Sequence, residues 1–95
     1  MHYCYILYSN SLHKHYIGSS TEEPNERLRK HLNQHYGIRK YTAKAKDWEI
    51  YFVISCNTIE QARKIEKHIK GMKSSSYIKS LKLYPDLVEK LLSKY

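Results

Sequence analysis

Much is scarce in this sequence, and each scarcity removes a class of protein. Two cysteines, Cys4 and Cys56, are present, in no CxxC pair and with no Cys/His metal spacing. That excludes a disulfide scaffold and a zinc site built on thiolates. Both lie in apolar, strand-like stretches, where a thiol behaves as a small core hydrophobe. No apolar run approaches the roughly 20 residues of a membrane span. No linker, internal repeat or low-complexity tail interrupts the chain. Acids are few, nine against seventeen Lys plus Arg. A single phenylalanine accompanies ten tyrosines, so hydroxyls stand where Phe would pack as well.

What is there suits one compact unit. The 95 residues are read as a single domain, 1–95, with 41% hydrophobic and 13% aromatic content, too apolar for a disordered chain. The net charge of +8 points to a polyanion, because Lys and Arg release counterions when they meet phosphates. Solubility charge, an RNA accessory role and an anionic membrane surface compete with DNA on charge alone. No signal peptide is read at the start, and a cytoplasmic protein without membrane contact is expected.

Two short strands open the chain. His2 to Ser9 is aromatic and β-branched, Asn10 to Leu12 supplies turn chemistry, and His15 to Ser19 completes a hairpin. Gly18 marks a bend or a close approach of backbone. A helix follows, with Thr21 as N-cap, Glu22 and Glu23 at its positive end and Pro24 in its first turn. It is expected to run to about His35, with Leu28 and Leu32 as its buried stripe. Residues 37 to 46 form a basic loop, and Trp48 to Ser55 a central strand. Thr58 and Gln61 have capping-box spacing and open a second helix, expected to stop near Lys70 before Gly71. A third helix is expected over Ser74 to Leu83. A short amphipathic one spans Pro85 to Lys94, with Leu87, Val88, Leu91 and Leu92 inward. The order β-β-α-β-α-α, with its C-terminal helix, predicts a small α/β (α+β type) fold: a three-stranded, mainly antiparallel sheet with helices packed on it.

Three groups of residues carry chemistry. Arg27 and His31 are four apart on one helix and share a face, at the margin of the Leu28/Leu32 stripe. Arg offers a planar fork that matches phosphate, and His handles protons near neutral pH. An ordinary basic helix is the plainer alternative, since Arg29, Lys30 and His35 lie on the same segment.

Glu66 is more distinctive. At roughly 100° per residue, Ile59, Ala62, Ile65, Ile69 and Met72 fall on one arc, with Glu66 inside it. It is also the only acid between Glu60 and Asp86, amid seven Lys or Arg. An inward carboxylate costs several kcal/mol unless it is paired or binds a metal. A structural salt bridge would satisfy it, and so would Mg²⁺, which often takes one or two carboxylates plus substrate phosphate.

From Arg27 through Lys46 there are seven Lys or Arg and no acid. Arg39, Lys40, Tyr41, Lys44 and Lys46, with Lys70 and Lys73 further on, suit a surface that grips a nucleic-acid backbone. Tyr5 and Tyr16, one on each hairpin strand, are not singled out by composition.

Taken in order, these residues resemble the GIY-YIG nuclease family, in its small stand-alone bacterial form. The second motif is literal, Tyr16-Ile17-Gly18. The first, Tyr3-Cys4-Tyr5, keeps only its last tyrosine. Arg27 and His31 have the family's helix spacing, Lys40-Tyr41-Thr42 looks like the KYT segment of small members, and Glu66 matches the metal-binding glutamate. The resemblance covers about residues 2–80.

It implies an endonuclease that hydrolyses a DNA phosphodiester with one Mg²⁺ or Mn²⁺ held by Glu66. Tyr16 or Tyr5 would take a proton from the attacking water. Arg27 would stabilise the phosphoryl charge, and His31 would move a proton or orient a tyrosine. With no recognition domain in the sequence, it implies either a structure- or single-strand-directed enzyme of little sequence preference or a partner protein that supplies targeting. A monomer or weak dimer is expected. The competing reading is a non-catalytic nucleic-acid-binding module on the same fold. A protein whose charges serve solvation alone is the third.

Overall fold

The computed structural model describes residues 1–32 and 45–95. The elements run β1 (His2–Ser9), β2 (Lys14–Ser20), α1 (Pro24–Leu32), β3 (Trp48–Cys56), α2 (Ile59–Met72), α3 (Ser75–Leu83) and α4 (Pro85–Lys94). The sheet order is β2-β1-β3 and both pairings are antiparallel. The three-stranded sheet and the order of helices match the expected α+β fold.

Alternation along β1 sorts the molecule into two faces. Cys4 and Ile6 point to one side, where Ile54, Ala62, Ile65, Ile69, Ile78, Leu81 and Leu91 close the larger core. Tyr5 and Leu7 point to the other, against Ala45 and Trp48, with Leu28 and Leu32 of α1 packed alongside. So α1 covers one face and α2, α3 and α4 the other. Each fully buried Ile or Leu contributes about 1.5–3 kcal/mol.

One irregularity keeps β3 in phase with both faces. The β1–β3 register shifts between Ile6 and Leu7: Ile6 pairs with Phe52, Leu7 with Ile50. Tyr51 is the extra residue of this β-bulge. Trp48 and Ile50 therefore face α1, while Phe52 and Ile54 face the larger core.

Polar ties fix the ends of elements. Thr58 Oγ1 accepts from the Gln61 N–H at 3.0 Å, and Gln61 Oε1 accepts from the Asn57 N–H at 2.7 Å. The expected cap is therefore present. Asp47, just before β3, accepts from Ser9 Oγ at 2.7 Å and from the Ser11 N–H at 2.7 Å, which pins the hairpin turn. These bonds, Ser9's hydroxyl first, hold the Asp47 carboxyl below its usual range.

Several boundaries differ from expectation. Thr21 is exposed; Ser20 Oγ, one residue earlier, accepts from the Glu22 N–H at 2.8 Å, and α1 opens after Glu23, whose carbonyl accepts from the Arg27 N–H at 3.1 Å. The described part of α1 ends at Leu32, so His35 lies outside the described residues. α2 runs through Gly71 to Met72, and Lys73 takes the left-handed cap at φ 49°. Met72, expected on the buried arc, is 45% exposed because the last inward position is Ile69. α3 and α4 fall where the sequence puts them, with Ser74 capping α3 through the Tyr77 N–H.

Candidate active site

Four of the five expected site residues meet on the α1 face. Tyr5 comes from the central strand and is fully buried. Its hydroxyl lies 3.0 Å from His31 Nε2 and accepts from Arg27 Nη2 at 3.5 Å. Tyr16, on β2, sets its ring edge-on to His31 at 4.8 Å and 6.3 Å from the Tyr5 ring. Trp48 stands beyond it at 6.5 Å. The i, i+4 spacing on α1 delivers Arg27 and His31 to one face, as expected. The burial is deeper than expected. His31 is 2% exposed, and α1 seats this imidazole on the sheet while Leu28 and Leu32 remain half-buried.

Gly18 makes the cluster possible. It is the direct cross-strand partner of Tyr5. A Cβ there would sit 2.5 Å from the Tyr5 Oη and 2.6 Å from its Cζ. The Tyr5 ring therefore lies over the bare glycine backbone. Only a residue without a side chain leaves that volume open.

Protonation follows from the surroundings. Burial, and then the charge of Arg27, push His31 down to about 4, so the imidazole is neutral at pH 7. Arg27 can only donate, and a buried hydroxyl hydrogen needs an acceptor. Tyr5 thus accepts from Arg27 and donates to His31 Nε2. Glu22 steadies the other side. It pairs with Arg27 at 3.5 Å and with Lys30 at 2.8 Å. The Lys30 hydrogen bond, outweighing burial, holds Glu22 below the usual carboxylate range. Sequence reasoning missed Glu22 as a partner, because it precedes α1 and helix spacing does not reach it. It missed Trp48 as a wall of the site, since an apolar strand does not show which face a residue takes.

Glu66 sits on the other side of the sheet, on α2. Its side chain is 20% exposed and its Oε2 is 2.6 Å from Lys70 Nζ. Oε1 has no hydrogen-bond partner among the described residues. The carboxylate is close enough to Cys4, the residue before Tyr5, for its charge to add to burial and Cys56 in raising that thiol's pKa. The donor set suits only one kind of ion. Among the described residues no three His, Cys, Asp or Glu gather to form a metal cage. One carboxylate with an open oxygen fits Mg²⁺ or Mn²⁺, which keep their waters, and no ion that needs a full protein shell.

Of the residues expected to grip nucleic acid, Lys46 is exposed, next to buried Ala45 in the cluster around Tyr5. Lys70 and Lys73 are exposed on the α2 side, so the sheet separates them from Tyr5 and His31. Arg39, Lys40, Tyr41 and Lys44 lie outside the described residues.

Compared with known families, residues 1–79 match the model of the GIY-YIG catalytic domain. The chain belongs to the GIY-YIG family. No curated protein and no solved structure matches the chain at a significant level. GIY-YIG members are endonucleases, and the domain is a nuclease fold. The match spans both hairpin motifs, α1, β3 and α2, and so every residue of the expected site. No helix among the described residues is long and apolar enough to cross a membrane.

Proposed function

We propose that this GIY-YIG protein is a divalent-metal-dependent endonuclease that hydrolyses DNA phosphodiester bonds. In this reading it acts on a structure or a single strand, with little sequence preference. The observation that carries the reading is the ordered relay Arg27, Tyr5, His31, with Tyr16 set against it. Polar groups this buried are costly unless each finds a partner, and an apolar cluster would fill the same space without that cost.

The relay supports a division of roles. Tyr16 is the general base: it is partly exposed, whereas Tyr5 is fully buried and its hydroxyl is engaged on both sides. Tyr16 Oη takes a proton from the attacking water, giving up its own hydroxyl proton to solvent, while the water oxygen bonds to phosphorus. The phosphorus–oxygen bond to the leaving strand then breaks. Arg27 stabilises the added negative charge on the phosphoryl oxygens. Neutral His31 accepts the Tyr5 hydrogen and holds Tyr5 in place, which makes both positioning residues. Glu66, on the α2 side of the sheet and apart from the relay, would hold Mg²⁺ or Mn²⁺ through one carboxylate oxygen, and the chemistry such an ion supplies is to polarise a phosphate bound beside it. Lys46, with Arg39, Lys40, Tyr41 and Lys44, would contact the nucleic-acid backbone.

One observation favours the second reading, a module that binds nucleic acid without cutting it: Lys70 occupies one oxygen of Glu66. The test is cleavage of labelled single-stranded, duplex and branched DNA by wild type and Glu66→Gln. Wild type is expected to cut with Mg²⁺ or Mn²⁺ and to stop in EDTA. Glu66→Gln should lose about 100-fold or more in rate and keep its DNA affinity. Equal activity of the two proteins removes Glu66 from the mechanism. Binding without cleavage in any metal supports the second reading.

A further inference from the structure

A basic groove lies across the sheet from Tyr5 and His31, at the edge strand β2. His13 and Lys14 of the hairpin form one wall, and Lys70, Lys73, Ser74 and Ser75 of the α2–α3 junction form the other. No acid lines it. Lys70 is paired with Glu66, but Lys14 and Lys73 make no ion pair among the described residues. The charge extends past the lining. Lys79 adds to burial in holding His15, at the back of the groove, below the usual imidazole range.

The backbone marks the same place. Among the described residues, two non-glycine residues have positive φ, His13 at 52° and Lys73 at 49°, and both line this groove. A left-handed L-residue costs about 1–2 kcal/mol, and strain of this kind is kept where it positions a functional group. A C-cap of this geometry ordinarily takes Gly or Asn. Here Gly71 is spent inside the helix and a lysine takes the cap. The groove thus presents a lysine on a backbone that disfavours it.

We propose that this groove binds a phosphodiester of the nucleic-acid backbone, a second contact on the face of the sheet opposite the reactive cluster. α3 opens at the groove, and the first-turn N–H groups that follow Ser74 add to its attraction for an anion. A strand held both here and at Tyr16 has to pass round the β2 edge. Resting on the reactive cluster proposed above, this gives the preference for branched or single-stranded nucleic acid a physical cause: such a strand can bend round an edge, and a straight duplex cannot.

The test is affinity against salt concentration in EDTA, so that cleavage plays no part. The probes are a single strand, a branched junction and a short straight duplex. The variants are Lys73→Gly, Lys14→Gln and, on exposed α4, Lys90→Gln. Lys73→Gly is expected to hold or raise the Tm, because glycine relieves the left-handed cap. It should also lower the salt slope on the single strand by about 0.7, and Lys14→Gln should lower it by a similar amount. Lys90→Gln should leave the slope unchanged. Both groove variants should weaken the junction and the single strand more than the duplex. An unchanged slope in both overturns the proposal, and so does a binding loss in Lys73→Gly that tracks a fall in Tm. Equal weakening on all three probes overturns the substrate class. Absent cleavage in wild type, with the slope changes intact, defeats the nuclease reading alone.

Discussion

Gly18 and Tyr5 show how a short motif becomes geometry. The sequence marks Gly18 as a place of close approach, and the structure supplies the neighbour: the ring of Tyr5, within 3 Å of any added Cβ. Gly18→Ala should destabilise by about 1–3 kcal/mol through overpacking and pull Tyr5 away from His31, so cleavage falls with stability. Gly71→Ala is the matched control. Nothing lies within 4 Å of its Cβ, and inside α2 it should stabilise by about 0.5–1 kcal/mol with activity unchanged. Urea midpoints and initial cleavage rates read both. His31 makes a second prediction. Its pKa is held down from 6.5 to about 4. Between those values the unfolded chain binds a proton that the folded one refuses. Stability is therefore full above about pH 6.5 and falls as pH drops toward 4, by up to about 3 kcal/mol. His31→Gln should flatten that acid slope in urea unfolding across the same window. At this scale the sequence marked Arg27, His31 and Glu66 from spacing and charge. Tyr5 and Tyr16 were legible only through the family resemblance, since ten tyrosines look alike without coordinates.

At the scale of elements, α4 extends the core beyond the matched domain. The family match ends at residue 79, yet Leu91 lies in the larger core with Leu81 and Ile65. Gln61 joins the two regions. It is 6% exposed, caps α2 through the Asn57 N–H, and donates from Nε2 to the Leu92 carbonyl at 3.0 Å. Gln61→Ala should cost about 1–3 kcal/mol by leaving buried groups unpaired. Activity per folded molecule should be unchanged, as measured by denaturant titration beside a cleavage assay at fixed folded concentration. Local signals such as the Thr58 cap and the period of α2 were legible in the sequence. The tie from Gln61 to Leu92 spans 31 residues, and no local pattern encodes it. Nor does any pattern say that α1 and α2 take opposite faces. The same apolar periodicity serves either side.

Across the whole molecule, charge and topology divide the labour. The net charge of +8 reads as a polyanion's partner from composition alone. Where that charge faces depends on the sheet. The Arg27 relay lies on one side of it, with Glu66, Lys70 and Lys73 on the other. The first strand's alternation decides this, with Tyr5 on one face and Cys4, beside Glu66, on the other. The bulge at Tyr51 then acts like a frameshift in β3. Upstream of it, Trp48 and Ile50 are read in the frame of the reactive face; downstream, Phe52 and Ile54 are read in the frame of the larger core. A regular strand that paired Tyr51 in place of the bulge would bring the two halves into a single frame. Trp48 would be carried away from Tyr16 into the opposite layer, with its composition unchanged and its neighbours exchanged.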